Sequence, residues 1–203
     1  MAGLKILLAG VGGQGIVTMG KMIANACDKD GIKVLVSETH GLSQRGGAVD
    51  VHVKIGDFYS PLIATGDADI VVALEANESI RNREYGNKKT IFIINTEVMK
   101  PDVPDILPKS IEEIKRMMED TNYVTVDGKK IAEITENPIG VNAAIVGFMS
   151  GYGVLGMISE KSLYDSMISD KNRKTFEEGR NEAKKLWKCA HQSEFKGCDR
   201  IRI

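Results

Sequence analysis

The sequence predicts an α/β protein: a Rossmann-like three-layer fold with a mostly parallel sheet, at least one antiparallel or edge strand, and a helical C-terminal third. Three observations predict it. The apolar run Leu4–Ala9 leads into four glycines and then a segment of helical period. Val49, Val51, Val53 and Ile55 alternate with Asp50, His52 and Lys54, the mark of a strand with one wet face. Beyond Gly128 the strand-like runs stop and helical patterns take over.

Taken in order, LKILLA (4–9) is short and nearly all apolar, as a central parallel strand covered on both faces should be. Ile16, Met19, Met22, Ile23 and Ala26 then recur at helical spacing to about Asp28. Gly31 closes that helix, and KVLVSE (33–38) is a second strand, completing a βαβ unit with an expected right-handed crossover. No helix separates this strand from the alternating one at 48–56. DADIVVALE (67–75) and TIFIINTE (90–97) read as buried strands with a helix over 77–83 between them. Pro101, Pro104 and Pro108 mark a connector. Ser110 with Glu113 three residues on forms a capping box for the next helix, and YVTVDG (123–128) is the last strand. Asn137 before Pro138 reads as the N-cap of an uncharged helix. Further helices start near Ser159 and run over 172–190, the latter with Phe176, Ala183, Leu186 and Trp187 on one side.

At 203 residues the chain can bury a full core, and 27 basic against 28 acidic residues leave a formal charge of -1. That balance gives no electrostatic footprint for nucleic acid or an anionic membrane. No basic segment followed by an apolar one opens the chain, so the cytoplasm is the default compartment. The uncharged stretch from Asn137 to Ser159 is long enough to span a bilayer but is rich in glycine and polar residues. A helix buried in the protein or at a subunit contact is the expected form. Cys27, Cys189 and Cys198 make no C-x-x-C pair, so no zinc site or iron–sulfur cluster is expected on cysteine alone. A Cys189–Cys198 disulfide is conceivable, with free thiols the expected state in a reducing compartment.

Two loops carry the functional signal. Gly10-Val11-Gly12-Gly13-Gln14-Gly15 matches G-x-G-x-x-G between strand and helix, where glycines let backbone approach a ligand and helix N–H groups face an anion. Glu38 stands about where an acidic residue would grip a ribose. The second loop is Ser43-Gln44-Arg45-Gly46-Gly47. Both loops follow parallel strands, so both should emerge at one edge of the sheet. Arg45 offers a planar donor fork for a phosphate, a carboxylate or a partner's backbone; pairing with Glu38 or Glu75 is the plain alternative.

LKILLAGVGGQGIVTMGKMIANA, SETHGLSQRGGAVDVHVKIG, YSPLI, DADIVVALE and NPIGVNAAIVG together resemble the gamma-type subunit of 2-oxoacid:ferredoxin oxidoreductases. Glu38, His40, Gly41, Gln44, Arg45, Gly46, Gly47 and Val49 match the pattern of its indolepyruvate branch, whose beta subunit this chain is similar to. Leu42 and Ser43 stand where Met and Ala are more usual. The resemblance implies a gamma-type domain over 1–190 with a tail over 191–203. It implies one subunit of an enzyme, inactive alone, that takes part in CoA-dependent oxidative decarboxylation of an aryl 2-oxoacid, indolepyruvate or phenylpyruvate, with electrons passed to ferredoxin. Thiamine diphosphate and iron–sulfur clusters are then expected on a large alpha subunit, and CoA is a co-substrate. Gly10, Gly12, Gly13, Gln14, Gly15, Glu38, His40, Ser43, Gln44, Arg45, Gly46, Gly47 and Asn142 are the substrate-, CoA- or partner-facing candidates, with no catalytic residue and no metal ligand assigned. The alternatives are a free-standing NAD(P)-binding oxidoreductase, a gamma subunit for pyruvate, 2-oxoisovalerate or 2-oxoglutarate, and a module that senses acyl-CoA.

Among the remaining polar residues, His40 is expected to be structural or a hydrogen-bond donor to substrate. His52 is expected on the wet face of its strand and His191 in the tail, with no metal-ligand spacing between them. Asn142 is expected to cap its helix or bridge to a neighbouring loop.

Overall fold

Strands β1 (Leu4–Val11), β2 (Val34–His40), β3 (Ala48–Ile55), β4 (Ile70–Ala73), β5 (Ile91–Asn95) and β6 (Asn122–Val126) form one sheet in the order β2-β3-β1-β4-β5-β6. The computed structural model describes residues 3–40, 47–100 and 107–191; Pro101 and Pro104 of the expected connector and residues 192–203 of the expected tail lie outside them, while His191, expected in the tail, closes the last helix. β1, β4, β5 and β6 run parallel, whereas β3 is antiparallel to both neighbours. The first βαβ unit is therefore split: β3 lies between β1 and β2. β3 is antiparallel as expected yet interior, and β2 is the edge.

Helix α1 (Ile16–Lys29) and the C-terminal helices α4 (Gly128–Ile134), α5 (Val141–Tyr152), α6 (Glu160–Asp165) and α7 (Asp170–His191) build the layer on one face. There Ile6, Leu8, Val51, Val53, Val72 and Ile93 from the sheet join one buried cluster with Met19, Ile23, Phe148 and Phe176 from the helices. The opposite face is smaller: Leu7, Val71, Phe92 and Ile94 pack with Ile63 and with α2 (Ala76–Arg81) and α3 (Ile111–Met117). The expected Ser110–Glu113 capping box is present in both directions.

Every residue of α5 from Asn142 to Met149 is buried, and small residues set how closely α7 approaches it. A Cβ at Gly147 would collide with the Phe176 carbonyl oxygen, one at Gly151 with that of Arg180, and one at Gly179 with that of Ala144. The uncharged stretch is thus the central helix of the helical layer. Among the described residues no helix is long and apolar enough to cross a membrane.

Three expectations need correction. The polar face of β3 is not wet: His52 is 3% and Lys54 8% exposed. The chain after β3 folds back over it, so the Ile63 N–H donates to His52 Nδ1 at 3.2 Å and Phe58 lies 5.4 Å from Lys54 Nζ. Asn137 is not an N-cap. Helix α5 begins at Val141 after Gly140, and the buried Asn137 amide donates to Asn172 Oδ1 and Thr175 Oγ1 on α7. The last strand ends at Val126, and Gly128 opens α4, whose N-cap Asp127 accepts from the Lys130 N–H.

Candidate functional site

The carboxyl ends of β1, β2, β4 and β5 and the start of β3 share one rim of the sheet. The first glycine loop stands there because β1 needs a tight exit into α1. Gly13 and Gly15 have φ of 102° and 79°, a region costly for any residue with a Cβ. A Cβ at Gly15 would also lie 2.7 Å from Asn142 Nδ2, and one at Gly10 2.7 Å from Ile16 Cδ1. Gly12 and Gly13 are exposed, and a Cβ at Gly13 would meet open space. Backbone therefore faces outward at the crest of the loop.

The two loops meet. The Gly12 N–H donates to the Gly47 carbonyl at 3.0 Å, and Val11 pairs with Ala48 at the start of β3. His40 closes β2 opposite Val49, two residues along β3. Ser43, Gln44, Arg45 and Gly46 lie outside the described residues, but both flanks of their segment, His40 and Gly47, end on this rim.

Gln14 and Asn142 brace the loop. Gln14 Oε1 accepts from the Val11 N–H at 2.9 Å, while its Nε2 lies 3.3 Å from both the Leu74 carbonyl and Glu97 Oε2. Asn142 Nδ2 reaches the Gly15 carbonyl at 3.5 Å, the bridge between helix and loop that its position suggested. Beneath them Asn95, 1% exposed, donates to the Leu74 carbonyl at 2.8 Å and accepts from the Gly128 N–H at 3.0 Å. Glu75 caps α2 and accepts from the Glu78 N–H, Asn77 Nδ2 and the Met99 N–H. That carboxylate is engaged locally. Sequence reasoning missed Asn95 and Glu97 as rim residues; the available signal was a polar residue ending each apolar strand run.

Glu38 is exposed on β2, paired with Val51. In a dinucleotide-binding sheet the second strand adjoins the first, so its terminal acid reaches the ribose. Here β3 intervenes, and two strand spacings put Glu38's strand roughly 10 Å from β1. The dinucleotide pattern is matched in spacing and not in topology. Among the described residues no group of three or more His, Cys, Asp or Glu is placed to hold a metal ion. Cys27 is buried, and burial, with the nearby Asp30 charge, pushes its thiol up to about 11, far from a reactive thiolate.

Residues 5–182 match the family described as pyruvate ferredoxin/flavodoxin oxidoreductase. The chain belongs to this family. It is a gamma-type subunit of the 2-oxoacid:ferredoxin oxidoreductases, part of an oxidoreductase. It is 36% identical over 191 residues to indolepyruvate oxidoreductase subunit IorB of Archaeoglobus fulgidus, covering 89% of this chain and 95% of that one. It is 30% identical over 189 residues to the common gamma subunit of the pyruvate/ketoisovalerate oxidoreductases of Thermococcus kodakarensis, covering 88% and 96%. The fold recurs, with TM-score 0.65 and 22% identity, in 2-oxoglutarate:ferredoxin oxidoreductase from Magnetococcus marinus, solved with 2-oxoglutarate, coenzyme A and succinyl-CoA bound. That match covers 93% of this chain and 32% of the other, so there the same fold is part of a longer chain.

Proposed function

We propose that this gamma-type subunit serves an indolepyruvate:ferredoxin oxidoreductase, and that its glycine rim faces the large subunit near bound CoA or substrate. The reaction converts an aryl 2-oxoacid and CoA into acyl-CoA and CO2, releasing one proton and two electrons for ferredoxin. Thiamine diphosphate and iron–sulfur clusters on the partner supply the decarboxylation and the electron path. This chain's part is to present the backbone at Gly13, on the exposed crest of the loop, and the Arg45 guanidinium toward an anionic group. A cytoplasmic setting belongs to this reading.

The Gly12–Gly47 hydrogen bond carries the site assignment, because it draws the two glycine loops onto one rim. The aryl substrate draws its support from the end-to-end likeness to the Archaeoglobus indolepyruvate subunit and from the Q-R-G-G loop. The strand order weighs against the NAD(P) alternative.

Co-expression with a candidate large subunit, followed by arylpyruvate- and CoA-dependent reduction of a viologen dye, tests the reading. Turnover is expected only in the complex. Arg45→Ala should cost about tenfold to a hundredfold in kcat/KM, the range for losing a hydrogen bond to a charged group. Unchanged kinetics would remove Arg45 from the site. Preference for pyruvate or 2-oxoglutarate would end the aryl assignment, and saturable NADH binding by the chain alone would favour the dinucleotide alternative.

A further inference from the structure

β3 places Asp50 opposite Ala9 of β1 and Thr39 of β2, three residues beyond the Gly47 carbonyl that receives the first glycine loop. Glu78, in the first turn of α2 and 4% exposed, is near enough to feel the Asp50 charge. Each carboxyl has one buried oxygen without a hydrogen-bond partner, Asp50 Oδ1 and Glu78 Oε2. Among the described residues the remaining neighbours are few. Glu78 Oε1 lies 3.5 Å from Arg81 Nε, whose side chain is 68% exposed. Asn82, 3% exposed, hydrogen-bonds Asp50 and donates to the Glu78 carbonyl at 3.1 Å. Glu75 lies one turn earlier with its own donors, and His52 lies two residues along β3, its pKa lowered by burial and by the Lys54 charge.

Two carboxylates, Glu78 buried and Asp50 half-buried with one buried oxygen, that feel each other's charge cannot both ionise without a large cost. The one guanidinium beside them among the described residues, Arg81, is exposed and does not neutralise both. A single proton removes one charge and turns an orphaned oxygen into a donor for another. We propose that Asp50 and Glu78 share one proton in the folded protein and form a pH-responsive clasp between β3 and α2. The clasp joins two walls of the rim: β3 departs from it at Gly47, and α2 holds Glu75, whose carboxylate fixes the Met99 N–H.

The sign follows from the environment. Burial, opposed by Arg81 and reinforced by the Glu75 and Asp50 charges, raises Glu78 to about 7; burial raises Asp50 as well. The folded chain then binds more protons than the unfolded one above the ordinary Glu value. Stability is full below about 4.3, falls as pH rises from there to about 7, and levels off beyond.

Denaturant unfolding of the full chain from pH 5 to 8.5 tests the clasp. The stability of the native sequence relative to Glu78→Gln is expected to decline across pH 5–7.5, by up to about a hundredfold in the unfolding constant. Asp50→Asn should move the inflection to lower pH. Infrared spectra of the native protein at pH 6 should show a protonated carboxyl band that Glu78→Gln abolishes. A difference that stays constant over the whole pH range, together with no such band, overturns the proposal. So does millimolar Mg2+ or Ca2+ stabilising the native protein, and not Glu78→Gln, at pH 8, because the pair would then hold a metal. If Glu78→Gln does not fold, Asp50→Asn and the infrared band decide.

Discussion

Glu136 stands at φ 53°, the one residue other than glycine with positive φ among those described. The cause is local. The Asn137 N–H donates to the Ala132 carbonyl at 2.8 Å and the Glu136 N–H to the Glu133 carbonyl at 3.0 Å, a Schellman stop for α4 that favours glycine at this position. The Glu136 side chain is exposed, so Glu136→Gly is expected to stabilise the protein by about 0.5–1 kcal/mol in denaturant unfolding. A loss of stability would mean that the carboxylate makes a contact outweighing the strain. Other residues divide by the range of the forces acting on them. Ser110 and Glu113 were legible as a capping box because both partners lie within one turn. Asn137 carried an equally clear local signal and does something else: its amide serves Asn172 and Thr175, more than thirty residues away. Gln14 was legible as a loop residue, but its contact with Glu97 depends on β5 ending beside β4 and on the glycine loop leaning over both.

At the scale of elements, the α5–α7 pair shows how composition sets geometry. Gly147 and Gly179 let the two helices approach until backbone meets backbone, which no longer side chain permits. Gly147→Ala must displace the Phe176 backbone and is expected to cost about 3 kcal/mol or more, measured as a lowered denaturation midpoint. A loss below 0.5 kcal/mol would mean that α7 can slide at little cost. β3 makes the complementary case. Its alternation correctly announced an antiparallel strand, but which face met water depended on where residues 57–63 settled, and they settled over His52 and Lys54. Helix α4 escaped notice because it is short and polar, although Asp127 with its bond from the Lys130 N–H was a start signal.

For the whole molecule, the rim gathers the ends of four strands and the start of a fifth into one exposed edge. If the partner subunit docks there, amide hydrogen exchange at Gly12, Gly13 and Ala48 should slow at least tenfold in the complex while α3 keeps its rates. Slowing confined to α3, with no change at the rim, would put the interface on the opposite layer. The sequence by itself determined the α/β class, the two glycine loops, nearly every strand and the family, because these depend on periodicity, turn chemistry and motifs carried within a few tens of residues. Only the tertiary structure decided that β3 enters between β1 and β2, that Asp50 and Glu78 each bury an oxygen without a partner, and that Glu38 stands one strand too far from the first glycine loop for a ribose. Strand order and burial are settled by contacts among segments distant in the chain, and no local pattern encodes which segment will cover which.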